Sequence, residues 1–186
     1  MKIQLLAATL ALAGVPALAL AGSSSQEVAK VGAKIPPFKA SAVSMIDSQD
    51  VKVPTVYMII GVKCGATPAY EKRFKAVEDE FRSKGVDFVW VFPNKTESLE
   101  EKQGWLKKLG LKGPMVDDTG AAIAKALECK NTAQAILSDK DGNIVFRGGI
   151  DDSRDEAGVK QRFLAEAIKE TLAGKPVTTK TAKFFG

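Results

Sequence analysis

The chain has 186 residues, with 27 Lys plus Arg against 22 Asp plus Glu and no histidine. That length suits one domain with a substantial core, and the mild basic excess is spread over helix faces and the C-terminal end rather than gathered into a patch for nucleic acid. The missing histidine excludes most zinc sites, imidazole-ligated copper sites and every Ser-His or Cys-His catalytic pair, so chemistry has to come from thiols, carboxylates or hydroxyls.

The chain opens MKIQLLAATLALAGVPALALAGSSS, with Lys2, an apolar stretch and then Ala19-Leu20-Ala21. This pattern predicts a signal peptide over residues 1–21 and a secreted or periplasmic protein of a bacterial cell envelope. Gly14 and Pro16 interrupt the run and no charged stop-transfer flank follows, so no membrane span is expected after cleavage. Residues 22–53 contain Pro36-Pro37 and little periodicity, and read as an extended lead-in with at most short strands.

The continuous apolar run from Thr55 to Ile60 predicts a strand covered on both faces. Cys64 follows it at once. Tyr70, Phe74, Val77 and Phe81 then recur at helical spacing, with Thr67 placed as N-cap, Pro68 at the first helical position and Gly85 just past the end. Val86 to Phe92 is a second buried strand, stopped by Pro93-Asn94. A second helix carries a capping box of Ser98 and Glu101, an apolar face of Leu99, Trp105, Leu106 and Leu109, and Gly110 at its close. Two strands joined through such a helix should be parallel.

Further on come a short extended piece at Met115-Val116, a turn at Asp118-Thr119-Gly120 and an alanine-rich helix ending before Cys129. Ala135–Ser138 and Asn143–Arg147, joined by Asp139-Lys140-Asp141-Gly142, read as a hairpin. A last helix bears Phe163, Leu164, Ala167, Ile168 and Leu172 and closes at Gly174. This order describes an α/β fold: a thioredoxin-like mixed sheet with helices on both faces over residues 54–174, followed by a basic, solvated tail over 175–186. Trp90 and Trp105 are spaced as core residues. The acidic pairs Asp117-Asp118 and Asp151-Asp152 stand at turns with no further ligand nearby, so turn and cap chemistry explains them better than a metal.

The two cysteines, Cys64 and Cys129, are the chemical candidates. A helix N-terminus favours a thiolate through its unpaired N–H groups and dipole, and Lys63 and the Thr67 hydroxyl are placed to add to that. In an oxidising compartment two thiols commonly form one disulfide, either structural or redox-active.

The cysteine after the first strand, its spacing to KGVDFVWVFPN, and the segments VDDTGAAIAKAL, AILSDKDGNIVFRGGIDD and AEAIKETLAGKPV resemble the redoxins, the alkyl hydroperoxide reductase and thiol-specific antioxidant branch of the thioredoxin-like superfamily. The resemblance implies an exported thiol–disulfide oxidoreductase with Cys64 as nucleophile and no organic cofactor, serving redox homeostasis. Its partners would be protein thiols or disulfides, or a dithiol reductant. Cys129 lies where the loop before the third strand approaches the first helix in this fold, and is the candidate resolving partner; Thr132, Ala133 and Arg147 join Lys63 and Thr67 as supporting residues.

Three departures mark the site. Thr67 stands where thioredoxin-type proteins place the second cysteine of Cys-x-x-Cys. Ala133 takes the place of a cis-proline, and is expected to be trans because a non-proline cis bond costs about 2.5–4 kcal/mol. Gly61 and Tyr57 occupy the positions of the peroxiredoxin threonine and proline. Two alternatives accompany the leading reading: a thiol peroxidase acting on peroxides, and a redox-inactive binding module with a structural disulfide.

Overall fold

The computed structural model describes residues 30–41 and 45–184. The predicted signal peptide, residues 22–29 of the lead-in and residues 185–186 of the tail lie outside the described residues.

Seven strands and four α-helices are present among the described residues. Two short strands, β1 (Lys39–Ser41) and β2 (Met45–Asp47), form an antiparallel pair in the lead-in. The main sheet contains β3 (Thr55–Ile59), β4 (Asp87–Phe92), β5 (Met115–Asp117), β6 (Gln134–Ser138) and β7 (Ile144–Gly148), in the order β5-β4-β3-β6-β7. Pairing of β3 with β4 and of β4 with β5 is parallel, whereas β3–β6 and β6–β7 are antiparallel. The helices are α1 (Thr67–Arg82), α2 (Leu99–Leu109), α3 (Ala122–Ala126) and α4 (Phe163–Leu172). This is the thioredoxin-like mixed sheet expected from the order of elements.

The pleat sends alternate residues of each strand into two cores. Val56, Met58 and Ile60 meet Phe88, Trp90 and Phe92 in one, covered by Tyr70, Phe74 and Phe81 of α1, Trp105 of α2 and Leu164 and Ile168 of α4. Tyr57, Ile59, Val89 and Val91 enter the other, covered by Ile123 and Ala124 of α3 and by Ile35 of the lead-in. Phe74, Trp90 and Trp105 pack edge to face at centroid separations of 6.0–6.3 Å, a geometry that suits the aromatic quadrupole.

Two charged residues that sequence periodicity passes over are fully buried. Glu78 of α1 accepts the N–H groups of Lys112 (2.9 Å) and Gly113 (2.6 Å) and the Trp90 indole N–H (3.4 Å). Gly113 is required there: a Cβ would lie 2.2 Å from the Phe88 carbonyl oxygen. Lys102 of α2 donates to Asp117 (2.6 Å) and Thr119 (3.1 Å). Burial works against the Asp117 carboxylate, but the Lys102 and Thr119 hydrogen bonds prevail and hold its pKa below the usual carboxylate value. Asp118 caps α3 by accepting from Ile123 and Ala124 N–H at 3.0 and 2.8 Å, and Asp152 accepts from Lys160 and Gln161 N–H. Asp151 pairs with Arg73. The acidic pairs are thus used in caps, turns and ion pairs.

The C-terminal segment differs from the solvated tail expected for it. Val177 is buried in the first core, Arg147 N–H donates to the Lys180 carbonyl at 3.0 Å, and Ala182 N–H donates to the Arg147 carbonyl at 3.1 Å. The other half of β7 is met by the lead-in, where Gly32 N–H donates to Ile144 and Ile144 N–H to Ala33, both at 2.8 Å. The reason is geometric: β7 is an edge strand with unpaired N–H and C=O groups, and the two chain ends supply their partners.

Candidate functional site

Between β3 and α1 the chain turns through Gly61–Ala66. Cys64 N–H donates to the Gly61 carbonyl at 3.1 Å, and Thr67 N–H to the Cys64 carbonyl at 3.0 Å. The turn enters the helix directly, so Ala66, with φ −86° and ψ −29°, is the N-cap, and Thr67 does not cap the helix as its sequence position predicted. Its buried hydroxyl points back and donates to the Gly61 carbonyl at 2.6 Å, tying the helix start to the end of β3.

Cys64 Sγ is partly exposed and accepts the Ala66 N–H at 3.5 Å. Burial opposes its thiolate, but hydrogen bonds from the Thr132 hydroxyl, the Ala66 and Thr67 N–H groups and the Thr67 hydroxyl outweigh it, so the thiol is held below the ordinary cysteine value. Because the Thr67 hydroxyl is directed to the Gly61 carbonyl and its N–H to the Cys64 carbonyl, the Ala66 N–H and Thr132 are the donors that matter most for the sulfur. The residues 64–67 therefore form an electropositive mouth at the start of a 16-residue helix, the kind of environment that favours a nucleophilic thiolate.

Two supporting residues occupy places other than those expected. The Lys63 ammonium turns away from the thiol, to Glu101 at 2.9 Å and the Thr96 carbonyl at 3.0 Å. Arg147 stands beside Cys129 rather than Cys64, donating to the Leu127 carbonyl at 2.8 Å and the Glu128 carbonyl at 3.2 Å. Thr132 and Ala133 do reach the Cys64 turn: Thr132 hydrogen-bonds the sulfur, and Ala133 N–H donates to the Ile59 carbonyl at 2.7 Å. No cis peptide occurs among the described residues, in keeping with a trans Ala133, whose φ of +59° is a left-handed conformation unfavourable for a side chain bearing a Cβ.

Three residues complete the surroundings without having been singled out in the sequence. Glu97, buried in the loop after β4, accepts the Lys63 N–H at 2.9 Å and the Asn94 side-chain amide at 2.8 Å. Arg154 donates to the Gly65 carbonyl at 2.9 Å. Asn94 fills the space opposite Gly61: a Cβ at position 61 would lie 2.5 Å from its Nδ2 and 3.0 Å from the Thr132 methyl. The three come from loops 30 or more residues away from Cys64, so local pattern carries no signal of them.

Cys129 lies across the sheet. Its side chain packs against the second core, whereas Cys64 packs against the first, and both are free thiols. The expectation that the fold brings them together is therefore not met: the loop from 127 to 133 presents Thr132 to Cys64 and turns Cys129 the other way. Burial pushes the Cys129 thiol up to about 12, an effect that Arg147 only partly offsets. No cluster of three or more potential metal ligands occurs among the described residues, nor does any helix there have the length and apolarity to cross a membrane.

Comparison with known proteins bears on this arrangement. A family model described as Redoxin matches residues 30–162. An uncharacterized conserved protein from Geobacillus kaustophilus is similar in structure at a TM-score of 0.76 and 26% identity, over 84% of this chain and 90% of its own. A hypothetical protein from Sinorhizobium meliloti gives 0.73 and 21%, over 83% and 91%. The thioredoxin domain of a thiol-disulfide oxidoreductase from Bacteroides vulgatus shares the fold at 0.55 and 14% identity, over 63% and 86%. No curated protein matches.

Proposed function

Since the chain belongs to the redoxin family of the thioredoxin-like superfamily, we propose that it is an exported thiol–disulfide oxidoreductase that works through a single nucleophile, Cys64. The observation that carries this reading is the setting of Cys64 Sγ: it accepts the Ala66 N–H at the start of α1, and Thr132 reaches it from the loop before β6. The predicted signal peptide would deliver it to the cell envelope, where protein disulfides are substrates and dithiols are supplied by partner proteins.

The Cys64 thiolate attacks one sulfur of a partner disulfide. That S–S bond breaks, a mixed disulfide forms at Cys64, and the other sulfur leaves as a thiolate. A thiolate of an external dithiol then attacks the Cys64 sulfur of the mixed disulfide and expels the partner's second thiolate, and the dithiol's other thiolate attacks the bond so formed, closing the reductant to a disulfide and releasing the Cys64 thiolate. Two electrons pass from the dithiol to the partner protein, and the same steps reversed oxidise it. The external thiol replaces Cys129 as the resolving group, because Cys129 is committed to the opposite core and its thiolate is disfavoured by burial. Thr67, in the position of a second active-site cysteine, serves by holding the turn through Gly61.

The peroxidase alternative is weakened at position 61, where glycine lacks the hydroxyl that would orient a peroxide and a Cβ would lie 2.5 Å from Asn94 Nδ2, so that amide occupies the place of the missing side chain. The test is to mix reduced protein with glutathione disulfide and locate the adduct by mass. One glutathionyl group is expected at Cys64, removable by dithiothreitol, present in Cys129→Ser and absent from Cys64→Ser. Absence of an adduct on the wild-type protein would sink the reading, and stoichiometric loss of hydrogen peroxide on reduced protein would shift it to peroxide reduction.

A further inference from the structure

The loop after β7 lies against α1 and carries Arg154 to the turn that holds Cys64. Its backbone is fixed from beneath by Arg73 of α1, whose guanidinium pairs with the Asp151 carboxylate and donates to the Ser153 and Arg154 carbonyls, both at 2.8 Å. The Arg73 and Asp151 side chains are only 10% and 4% exposed. Taking two charges out of water offsets much of what their attraction returns. The effect of the pair is therefore chiefly geometric: it holds residues 151–154 in place against the helix that begins beside Cys64.

What this loop presents is one exposed guanidinium. Arg154 Nη2 donates to the carbonyl of Gly65, the residue next to Cys64, at 2.9 Å, and no carboxylate among the described residues forms an ion pair with it. Its acidic neighbours in the chain are used locally: Asp155 accepts the Ala157 N–H at 3.2 Å, and Asp152 accepts those of Lys160 and Gln161. The other cations named for this site are engaged, Lys63 with Glu101 and Arg147 with Glu128 on the far side of the sheet. A guanidinium has a planar fork of donors that matches a carboxylate, and the single bond to Gly65 leaves most of that fork open to solvent beside the thiol.

We propose that Arg154 is a specificity-determining residue of the Cys64 site: it binds a carboxylate that the substrate carries close to the attacked sulfur, so that anionic disulfides are the preferred class. The proposal rests on Cys64 being the nucleophile. In the step concerned the Cys64 thiolate attacks one sulfur of the disulfide, a new S–S bond to Cys64 forms as the original S–S bond breaks, and the other half leaves as a thiolate. The carboxylate takes no part in the exchange. Bound to Arg154, it orients the disulfide and offsets the repulsion that an anionic substrate meets from the thiolate.

The test uses two small disulfides with the same two-carbon arms, 3,3′-dithiodipropionate, which is anionic, and 2,2′-dithiodiethanol, which is neutral. Rates of adduct formation at Cys64 are read by mass at low ionic strength, where exposed charges are least screened. Arg154→Met should lower the ratio of the anionic to the neutral rate about fivefold, the scale of one exposed ion pair. That ratio cancels the intrinsic reactivity of the probes and any general loosening of the turn at Gly65. A ratio unchanged in Arg154→Met overturns the proposal and leaves Arg154 as a brace for that turn. Failure of both probes to modify Cys64 in the wild-type protein would sink the nucleophile reading and this proposal with it, so the wild-type protein by itself tells the two failures apart.

Discussion

Cys64 and Cys129 are the same residue type, on two sides of one sheet, with opposite prospects. Cys64 lies in the turn at the N-terminus of α1 and receives the N–H of Ala66 and the hydroxyl of Thr132. Cys129 follows a short helix of five residues, packs against the second core and has one cation, Arg147, to set against burial. The charge nearest in sequence matters little in either case. Lys63 adjoins Cys64 but is engaged elsewhere, and Arg147, 18 residues beyond Cys129, is the guanidinium that reaches it. Thiol reactivity here is decided by which donors the fold aims at the sulfur, and one loop, residues 127–133, serves both sides by presenting Thr132 to one thiol and packing the other, half-buried, against the second core.

The contrast is most directly tested by alkylation at neutral pH. A thiol held below the ordinary cysteine value and one pushed up to about 12 differ widely in thiolate fraction at that pH. The more basic thiolate is the better nucleophile, with a Brønsted slope of about 0.4–0.5, which recovers part of that difference. Cys64 should therefore react on the order of tenfold faster than Cys129, or more, at pH 7. As pH rises the Cys64 rate should level off below the ordinary thiol range, while the Cys129 rate should still be climbing. Equal rates, read by mass spectrometry of the two peptides, would mean that neither the donors at Cys64 nor the packing of Cys129 sets the reactivity of these thiols.

Much of the sheet was legible because its signals are local. The unbroken apolar runs of β3 and β4, the spacing of Tyr70, Phe74, Val77 and Phe81, and the Ser98–Glu101 capping box each declare an element within a dozen residues, and the structure has all of them. Cys64 at a helix start was legible for the same reason. What sequence could not supply depends on long-range geometry. The tail reads as basic and polar, yet β7 needs partners and Val177 supplies an apolar anchor. Thr67 has the residue type of an N-cap, but the turn before it is already helical in conformation, and the hydroxyl finds Gly61. Glu78 and Lys102 look like solvent-facing residues of amphipathic helices until loops distant in sequence fold over them.

A smaller effect tests the donors individually. Thr132→Val keeps the shape of the side chain and removes the hydroxyl that reaches Cys64 Sγ. The folded-state thiol pKa should rise, so the alkylation profile of Cys64 moves to higher pH and the rate at pH 7 falls several-fold, with little change at Cys129. Hydrogen bonds to charged groups contribute about 1.5–3 kcal/mol when well formed, and partial exposure of this site reduces the share that one donor carries. An unchanged profile would assign the thiolate to the backbone N–H groups of α1 alone.

The smallest expected effect is the sharpest test of the principle that proximity in sequence is not electrostatic proximity. Lys63→Met removes the cation next to Cys64, which by sequence alone should raise the thiol pKa and slow its reaction. In the structure that ammonium lies 2.9 Å from Glu101 and 3.0 Å from the Thr96 carbonyl, at an exposed position. Its field at the sulfur is therefore largely neutralised by Glu101 and screened by solvent. Cys64 alkylation should change by less than about twofold in Lys63→Met, and its pH profile should keep its position. A clear upward movement of that profile would show that Lys63 spends enough time facing the thiol to stabilise its anion, and the turn of residues 61–66 would then have to be read as a cationic site as well as a helix start.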